Sequence, residues 1–286
     1  MLARLSARLC GGPADCLPGR FWRLGAGGCE EGVRQARLEL AMCYRLCASF
    51  GFHEGACNHL SVALPGNDRF LINPYGCHWS RMTASGLLLV DGHGAVLEGV
   101  GMPEITGFNS HRAVHAMMGD DARVVLHTHM PFATTITLLD KECGGELLPI
   151  HQNIARFHGR VAYDHSYGGL FTGADESERV ASVALAFRER VGQAPRALLC
   201  ANHGVFIFGR TVAEAWSDLY YLERFCELQV RALGCVAGDP SKLRLIDGAV
   251  LEGTKKQYES ERHGEACAHW NAVTEVLLGE KLSVCA

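Results

Sequence analysis

Apolar and polar residues follow two different periods along the chain, and each change of period marks a new predicted element. Between Glu31 and Phe50 apolar residues recur every three or four positions, which predicts a helix with one buried face. Short apolar runs bounded by turn residues predict strands at 60–64, 69–72, 87–90, 95–98, 124–128, 161–162, 197–200 and 205–208. Helical spacing returns at 109–118, 131–140, 177–191, 211–233 and, more weakly, 255–278. This alternation predicts an α/β fold.

Three of these helices have recognisable start signals. Pro131 fits the first position of a helix, where a missing N–H costs nothing. Asp175 or Ser177 is the predicted cap of the helix that ends at 191. Thr211 followed three residues later by Glu214 has the spacing of a capping box.

Composition predicts one soluble globular domain. The chain has 286 residues, 48% of them hydrophobic, and a net charge of −4. We expect a flexible extension at 1–30, a core domain at 31–236 and a partly helical C-terminal extension at 237–286. The slight acidity and the lack of a basic stripe argue against nucleic-acid binding. No stretch approaches the roughly 20 apolar residues that a membrane helix needs.

The cysteines and the N-terminus bear on the compartment. Thirteen cysteines are scattered without any Cys-x-x-Cys pair, which favours free thiols in a reducing, cytoplasmic setting over zinc fingers or a disulfide framework. Residues 1–28 carry four arginines and a single acid, Asp15. Such a start is typical of mitochondrial transit peptides, and a disordered extension fits it equally well.

Three histidines are the strongest candidates for chemistry. His127 and His129 end the predicted strand at 124–128, and His203 follows the strand at 197–200. Side chains at positions i and i+2 of a strand share one face, so one strand end can direct two imidazoles at one point. Three neutral imidazoles with an open coordination position describe a catalytic zinc-type site. Spacing alone leaves three unrelated histidines about as plausible.

The motifs around these histidines resemble those of the class II aldolase/adducin family. The resemblance rests on His127-Thr128-His129 and Asn202-His203-Gly204, each after an apolar strand. It extends over about 34–235 through four further motifs in the same order, at 57–61, 71–76, 88–94 and 108–111. The resemblance implies a three-layer α/β/α fold with a central mixed or mainly antiparallel sheet.

The resemblance also implies a function and an assembly. His127, His129 and His203 are expected to hold Zn²⁺ or another divalent metal in a lyase that cleaves or decarboxylates a small carbonyl or carboxylate compound. A homo-oligomer, most simply a tetramer, is expected because family members bury their sites partly between subunits. The alternative is a non-catalytic, adducin-like protein that binds actin filaments.

One departure from the family's aldolases concerns the catalytic base. Those aldolases carry a glutamate at the position of Gly107, and proton abstraction needs a base within hydrogen-bond reach. Glu104 and His111 are the candidate replacements. A glutamate introduced at 107 is expected to place a carboxylate near the metal.

The substrate pocket also departs from that of the aldolases. His59 stands where those aldolases have a phosphate-binding asparagine, and Tyr75 and Gly76 match a phosphate-binding turn. Ile105 and Thr106 replace two serines, so we expect plain carboxylates or carbonyls rather than phosphorylated substrates. His59, Tyr75, Gly76 and Thr106 are therefore the expected substrate-binding residues. His111 and His115, four apart on one helix, could also ligate a metal, but a structural role is favoured.

Overall fold

A single eight-stranded sheet organises the fold. The structure is a computed structural model that describes residues 26–66, 68–169 and 174–279. The strands are β1 His59–Ala63, β2 Arg69–Ile72, β3 Leu88–Asp91, β4 Val96–Glu98, β5 Val124–Thr128, β6 Val161–Asp164, β7 Ala197–Cys200 and β8 Gly204–Gly209. Their order in the sheet is β4-β3-β2-β1-β5-β8-β7-β6. Only the β6–β7 pair among them is parallel, so the expected mainly antiparallel sheet is confirmed.

Six α-helices accompany the sheet in the described residues. They are α1 Ala26–Phe50, α2 Ile105–Met118, α3 Pro131–Thr137, α4 Ala174–Val191, α5 Val212–Cys235 and α6 Gly248–Gly279. Pro131 occupies the start of α3, and the Thr211 side chain accepts from the backbone N–H of Glu214 at the start of α5, as both start signals predicted.

The two faces of the sheet bury different helices, because strand side chains alternate between them. One face packs against α1, α3, α5 and α6 around a core that includes Tyr44, Leu126 and Trp216. The opposite face packs against α2 and α4, with Val125 and Phe206 among its buried residues. Helices on both faces give the expected three-layer α/β/α architecture.

Several predicted boundaries were wrong. Helix α1 begins at Ala26, so residues 26–30 are helical rather than part of the extension. Helix α4 begins at Ala174, which places Asp175 and Ser177 inside it and not at a cap. Helix α2 begins four residues earlier than Asn109 because Glu104 acts as its N-cap. The Arg-rich start at 1–28, which fits a transit peptide and a disordered extension equally well, lies outside the described residues up to position 25.

The C-terminal helix belongs to the core. Leu251, Trp270 and Leu277 of α6 are buried in the same cluster as the strands of the first face. None of the helices in the described part of the chain is long and apolar enough to cross a membrane. The nine cysteines with described side chains are free thiols.

Candidate metal centre

The three predicted histidines converge at the ends of neighbouring strands. His127 lies on β5, His129 follows that strand, and His203 occupies the turn between β7 and β8. Because β5 pairs with β8, the two strand ends are adjacent. One ring nitrogen from each histidine lies within 4.8 Å of the others. This is the donor set that a divalent metal would need.

Hydrogen bonds fix which nitrogen two of these rings present. His127 Nδ1 lies 3.1 Å from the carbonyl oxygen of Val205, which can only accept, so Nδ1 carries the proton. His129 Nδ1 lies 2.6 Å from a carboxylate oxygen of Glu54, which likewise accepts. In the neutral ring this leaves Nε2 as the nitrogen with a free lone pair, and the Nε2 of His129 is buried without a partner among the described residues. A metal ion would use that lone pair, so the residues fit one.

Burial keeps the rings of His127 and His203 neutral, as metal ligation requires. Burial and then the neighbouring His203 hold the pKa of His127 well below its usual value. Burial, followed by the nearby His129, lowers the pKa of His203 to about 4. At pH 7 neither ring needs to lose a proton before it binds a metal.

A second set of histidines forms a buried chain beside the metal ligands. His59 Nδ1 lies 2.8 Å from His111 Nε2, and His111 Nδ1 lies 2.5 Å from Ser61 Oγ. The same hydroxyl lies 2.7 Å from His115 Nε2, and His115 Nδ1 lies 2.6 Å from the carbonyl oxygen of Ala122. His59 also pairs with His127 in the sheet, and their ring centroids are 4.9 Å apart. The chain therefore runs from the helix α2 face into the candidate centre.

Both expected replacement bases are already engaged by the protein. The two nitrogens of His111 face His59 and Ser61, and the residue is fully buried. The Glu104 carboxylate caps α2 by accepting from the N–H groups of Thr106 and Gly107. It also accepts from the Thr106 hydroxyl. Thr106 is a predicted substrate-binding residue, and its hydroxyl is therefore directed at the N-cap of α2.

Gly107 is packed against the ring of His59. A Cβ atom built at Gly107 would lie 2.1 Å from His59 Nε2 and 2.4 Å from His59 Cδ2, distances that real atoms do not reach. The expectation that a glutamate at 107 would simply place a carboxylate near the metal is therefore wrong in this structure. Such a side chain must first displace His59.

The remaining predicted substrate residues lie in an exposed turn. Tyr75 is 63% exposed, and its N–H donates to the carbonyl of Met102. Gly76 has a φ of +80°, a left-handed conformation that favours glycine. The turn is held beside the loop that precedes α2, and within the described residues no hydrogen bond or ring contact is formed between Tyr75 or Gly76 and the histidines of the site.

Three residues of the site were not predicted as functional. Glu54 orients His129 across 75 positions of sequence, and Asn58 accepts weakly from the His129 N–H at 3.4 Å. Neither contact leaves a local sequence signal. Ser61 could have been found, because it shares a strand face with His59, just as His111 and His115 share a helix face.

Comparisons with known proteins agree with this geometry. The sequence model of the class II aldolase and adducin N-terminal domain matches residues 38–230. A Caulobacter vibrioides protein named after class 2 aldolases is 36% identical over 209 residues, which span 72% of this chain and 76% of that protein. Alpha-adducin of Rattus norvegicus is 32% identical over 76% of this chain, which covers 28% of the adducin's length.

Solved structures give the same result. An aldolase II superfamily protein from Pseudomonas syringae superposes with a TM-score of 0.77 at 28% identity, covering 92% of this chain and 97% of that one. L-fuculose 1-phosphate aldolase from Glaciozyma antarctica PI12 superposes with a TM-score of 0.74 at 26% identity, covering 95% and 99%. The family match covers well over half of the chain. The chain is therefore a member of the class II aldolase and adducin family.

Proposed function

We propose that this protein is a divalent-metal-dependent carbon–carbon lyase that acts on a small carbonyl or carboxylate compound. The observation that carries the proposal is the convergence of His127, His129 and His203 with an unpaired, buried Nε2 on His129. Buried polar atoms are almost always paired in proteins, so an unpaired one beside two other ligands indicates a missing partner. Zinc is the metal that best suits three imidazoles.

The surrounding residues suit such chemistry. A divalent ion at the three histidines would act as a Lewis acid toward a substrate oxygen. Glu54 and the Val205 carbonyl hold the ligand rings in the orientation that presents Nε2. The rings of His59, His111 and His115 line the buried side of the site without introducing a carboxylate.

Plain carbonyls or carboxylates fit the pocket better than sugar phosphates do. The Thr106 hydroxyl is committed to Glu104, and Ile105 offers no hydrogen bond from its side chain. Neither side chain is therefore placed to bind a phosphate. We expect activity toward L-fuculose 1-phosphate, the substrate of the structural relative, to be negligible.

A substrate screen with and without a chelator tests the proposal. Protein loaded with zinc should cleave or decarboxylate at least one small hydroxy-carbonyl or keto-acid compound, and EDTA should abolish that turnover. Robust cleavage of L-fuculose 1-phosphate would contradict the substrate class while supporting the metal. Protein that binds no divalent metal at all would contradict the proposal itself.

A second candidate function is binding to actin filaments. It is favoured by the likeness to alpha-adducin and by Gly107, which removes the glutamate found in the family's aldolases. Co-sedimentation with actin filaments tests it directly. Saturable binding that survives the loss of His127 and His129 would support this candidate over the enzyme.

An exposed apolar surface supports self-association. Helix α2 is preceded by a loop whose large apolar side chains face solvent, and Val100 is 91% exposed. This apolar loop surface consists of Tyr75, Leu97, Val100, Met102 and Ile105. Apolar patches of this kind commonly mark protein interfaces. We propose that a second copy of the chain covers the surface in a homo-oligomer, with a tetramer as the expected state.

Light scattering tests this assembly. Val100→Asp combined with Met102→Asp should lower the measured mass, because two charges would have to be buried in the interface. Val276→Asp is a matched control on α6, since Val276 is also exposed but lies outside the apolar loop surface. A monomeric wild-type mass at all concentrations would contradict the proposal.

A further inference from the structure

The buried histidine chain has only one consistent direction of hydrogen bonding. A carbonyl can only accept, so His115 Nδ1 donates to Ala122 and His115 Nε2 must accept from the Ser61 hydroxyl. The hydroxyl has one proton, so Ser61 Oγ in turn accepts from His111 Nδ1. His111 Nε2 is then the acceptor for the proton on His59 Nδ1.

This direction rests on neutral rings, each with one donor and one acceptor. Burial lowers the pKa of His115 to about 4 and, with the neighbouring His59 and His115, holds the pKa of His111 well below its usual value. The result is that His59 keeps its proton on Nδ1. Its Nε2 is left as an acceptor and cannot donate.

The geometry around His59 leaves that acceptor without a protein partner. Within residues 26–66, 68–169 and 174–279 no group is hydrogen-bonded to Nε2, although His59 is only 7% exposed. The Cβ position built at Gly107 lies 2.1, 2.4 and 2.7 Å from Nε2, Cδ2 and Cε1. A point along the in-plane lone pair would be farther from both carbons. Gly107 therefore packs on the ring face and does not lie along the lone pair.

We propose that His59 is a specificity-determining residue whose Nε2 accepts a hydrogen bond from a substrate hydroxyl, with its tautomer set by the chain through His111, Ser61 and His115 to the Ala122 carbonyl. His111, Ser61 and His115 are positioning residues, since they act through His59. The proposal rests on the proposed function, because a metal at the neighbouring histidines would bind another oxygen of the same substrate.

This polarity defines a class of substrate. The ring centroid of His59 is 4.9 Å from that of His127, so one small molecule can reach both the metal ligands and Nε2. Its group at His59 must donate a proton, as a hydroxyl does. An ether, ketone or carboxylate oxygen has no proton to donate, so it could not form a hydrogen bond with the Nε2 lone pair. Hydroxy acids and hydroxy carbonyl compounds satisfy both requirements.

The tautomer is measured first, on metal-free protein. Long-range ¹H–¹⁵N spectra of protein labelled in its histidines should show a pyrrole-type Nδ1 and a pyridine-type Nε2 for His59, assigned by its loss in His59→Gln. Ser61→Ala should produce a mixture of tautomers at His59. Ser217→Ala, which removes another buried hydroxyl, on α5 and 3.4 Å from Nδ1 of His269 on α6, should not. A proton on His59 Nε2 in the wild type would overturn the proposal.

Ligand preference is measured next, on zinc-loaded protein. Glycolate carries a hydroxyl that can donate, whereas methoxyacetate places an ether oxygen at the same position. The ratio of the affinity for glycolate to that for methoxyacetate should be about tenfold higher in the wild type than in His59→Gln, because the amide side chain of glutamine can both donate and accept. Ser61→Ala should reduce the preference and Ser217→Ala should leave it unchanged. An equal preference in wild type and His59→Gln would overturn the proposal.

The two measurements separate this proposal from the proposed function. If the protein binds no metal, the ligand experiment fails in every variant while the tautomer of His59 is still observed. If zinc binds but the preference does not depend on His59, the lyase proposal stands and the role of His59 is contradicted. Gly107→Ala adds an independent check, because its Cβ must displace His59 and should remove the preference as well.

Discussion

Two buried polar clusters of the described residues differ in kind: one pairs opposite charges, and the other gathers imidazole rings. In the histidine cluster, the Nδ1 hydrogen bonds of His127 and His129 end at Val205 and Glu54, and ligand atoms of these two rings and of His203 lie within 4.8 Å of one another around a common point. Burial opposes protonation of the His127 and His203 rings. The cluster is complete only when something else occupies that point.

The arginine cluster, formed by α5, α6 and the residues that precede β6 and β7, pairs its charges within the protein. Arg262 of α6 lies 2.9 Å from the carboxylate of Glu214 and 2.7 Å from that of Asp218, both on α5. Although burial lowers the pKa of Arg262, the two carboxylates raise it above its ordinary value. Arg160 and Arg196 approach Glu259 at 3.4 and 3.9 Å.

The difference separates a binding site from a structural network. Charges that neutralise one another fix the position of a helix and need no ligand, whereas oriented lone pairs without partners indicate one. The charged run at 255–263 therefore serves to anchor α6. Strong polarity in a sequence does not by itself distinguish these two outcomes. The pairing of opposite charges within the arginine cluster does.

Removing two of the three candidate ligands should have the largest effect, the loss of bound metal. His127→Ala with His129→Ala leaves at most one of the three ligands, so stoichiometric divalent metal should disappear from protein analysed by elemental mass spectrometry. The wild type, purified without added metal, should contain it. Metal that persists in the double variant would place the metal elsewhere in the chain.

Removing an arginine from the arginine cluster should lower the stability of the protein and leave its metal content unchanged. Arg262→Met leaves the Glu214 and Asp218 carboxylates buried without their partner, which should lower the free energy of unfolding by about 3 kcal/mol. Urea denaturation measures this loss. Metal content should not change. Arg224→Met is the control, because Arg224 is largely exposed and pairs with Glu227 within one helix turn, so its effect should be below about 1 kcal/mol.

The histidine chain should make the metal-free protein sensitive to acid. The pKa of His115 is lowered to about 4, below the value of about 6.5 in an unfolded chain, so the folded state binds fewer protons. The stabilisation is complete above pH 6.5 and is lost as the pH falls toward 4. Between pH 7 and 5 His115 should account for about 2 kcal/mol of lost unfolding free energy.

Urea titrations at several pH values test that sign. His115→Gln removes the titrating ring, so its unfolding free energy should fall less steeply between pH 7 and 5 than that of the wild type. The arginine cluster offers a contrast, since guanidinium groups stay protonated throughout this range. A pH dependence that is identical in wild type and His115→Gln would show that burial of this ring does not govern acid sensitivity.

Local patterns predicted most of the fold and the first half of the site. The strand at 124–128 and the pair His127 and His129 were predictable because strand periodicity and strand ends are properties of neighbouring residues. The α/β/α layers and the family followed from the order of such segments.

Contacts between distant segments were not predictable in the same way. His59 lies against Gly107 only because α2 packs across β1, and no periodicity encodes that distance. Helix α6 was underestimated because its buried residues Leu251, Trp270 and Leu277 are widely spaced along a largely polar helix. Its anchoring charges become recognisable only once α5 lies beside it.

The smallest expected effect concerns Glu54, whose carboxylate accepts a hydrogen bond from the candidate ligand His129. Glu54 accepts from His129 Nδ1 at 2.6 Å and so both orients the ring and makes its Nε2 a stronger ligand. Loss of such a partner typically weakens metal binding by 10- to 100-fold, and Glu54 is largely exposed, so Glu54→Gln should weaken zinc by about tenfold. Competition with a zinc chelator measures the shift. Glu98→Gln is the matched control, since Glu98 is similarly exposed and pairs with Arg37 instead of a ligand. Equal zinc affinity in both variants would mean that packing alone orients His129.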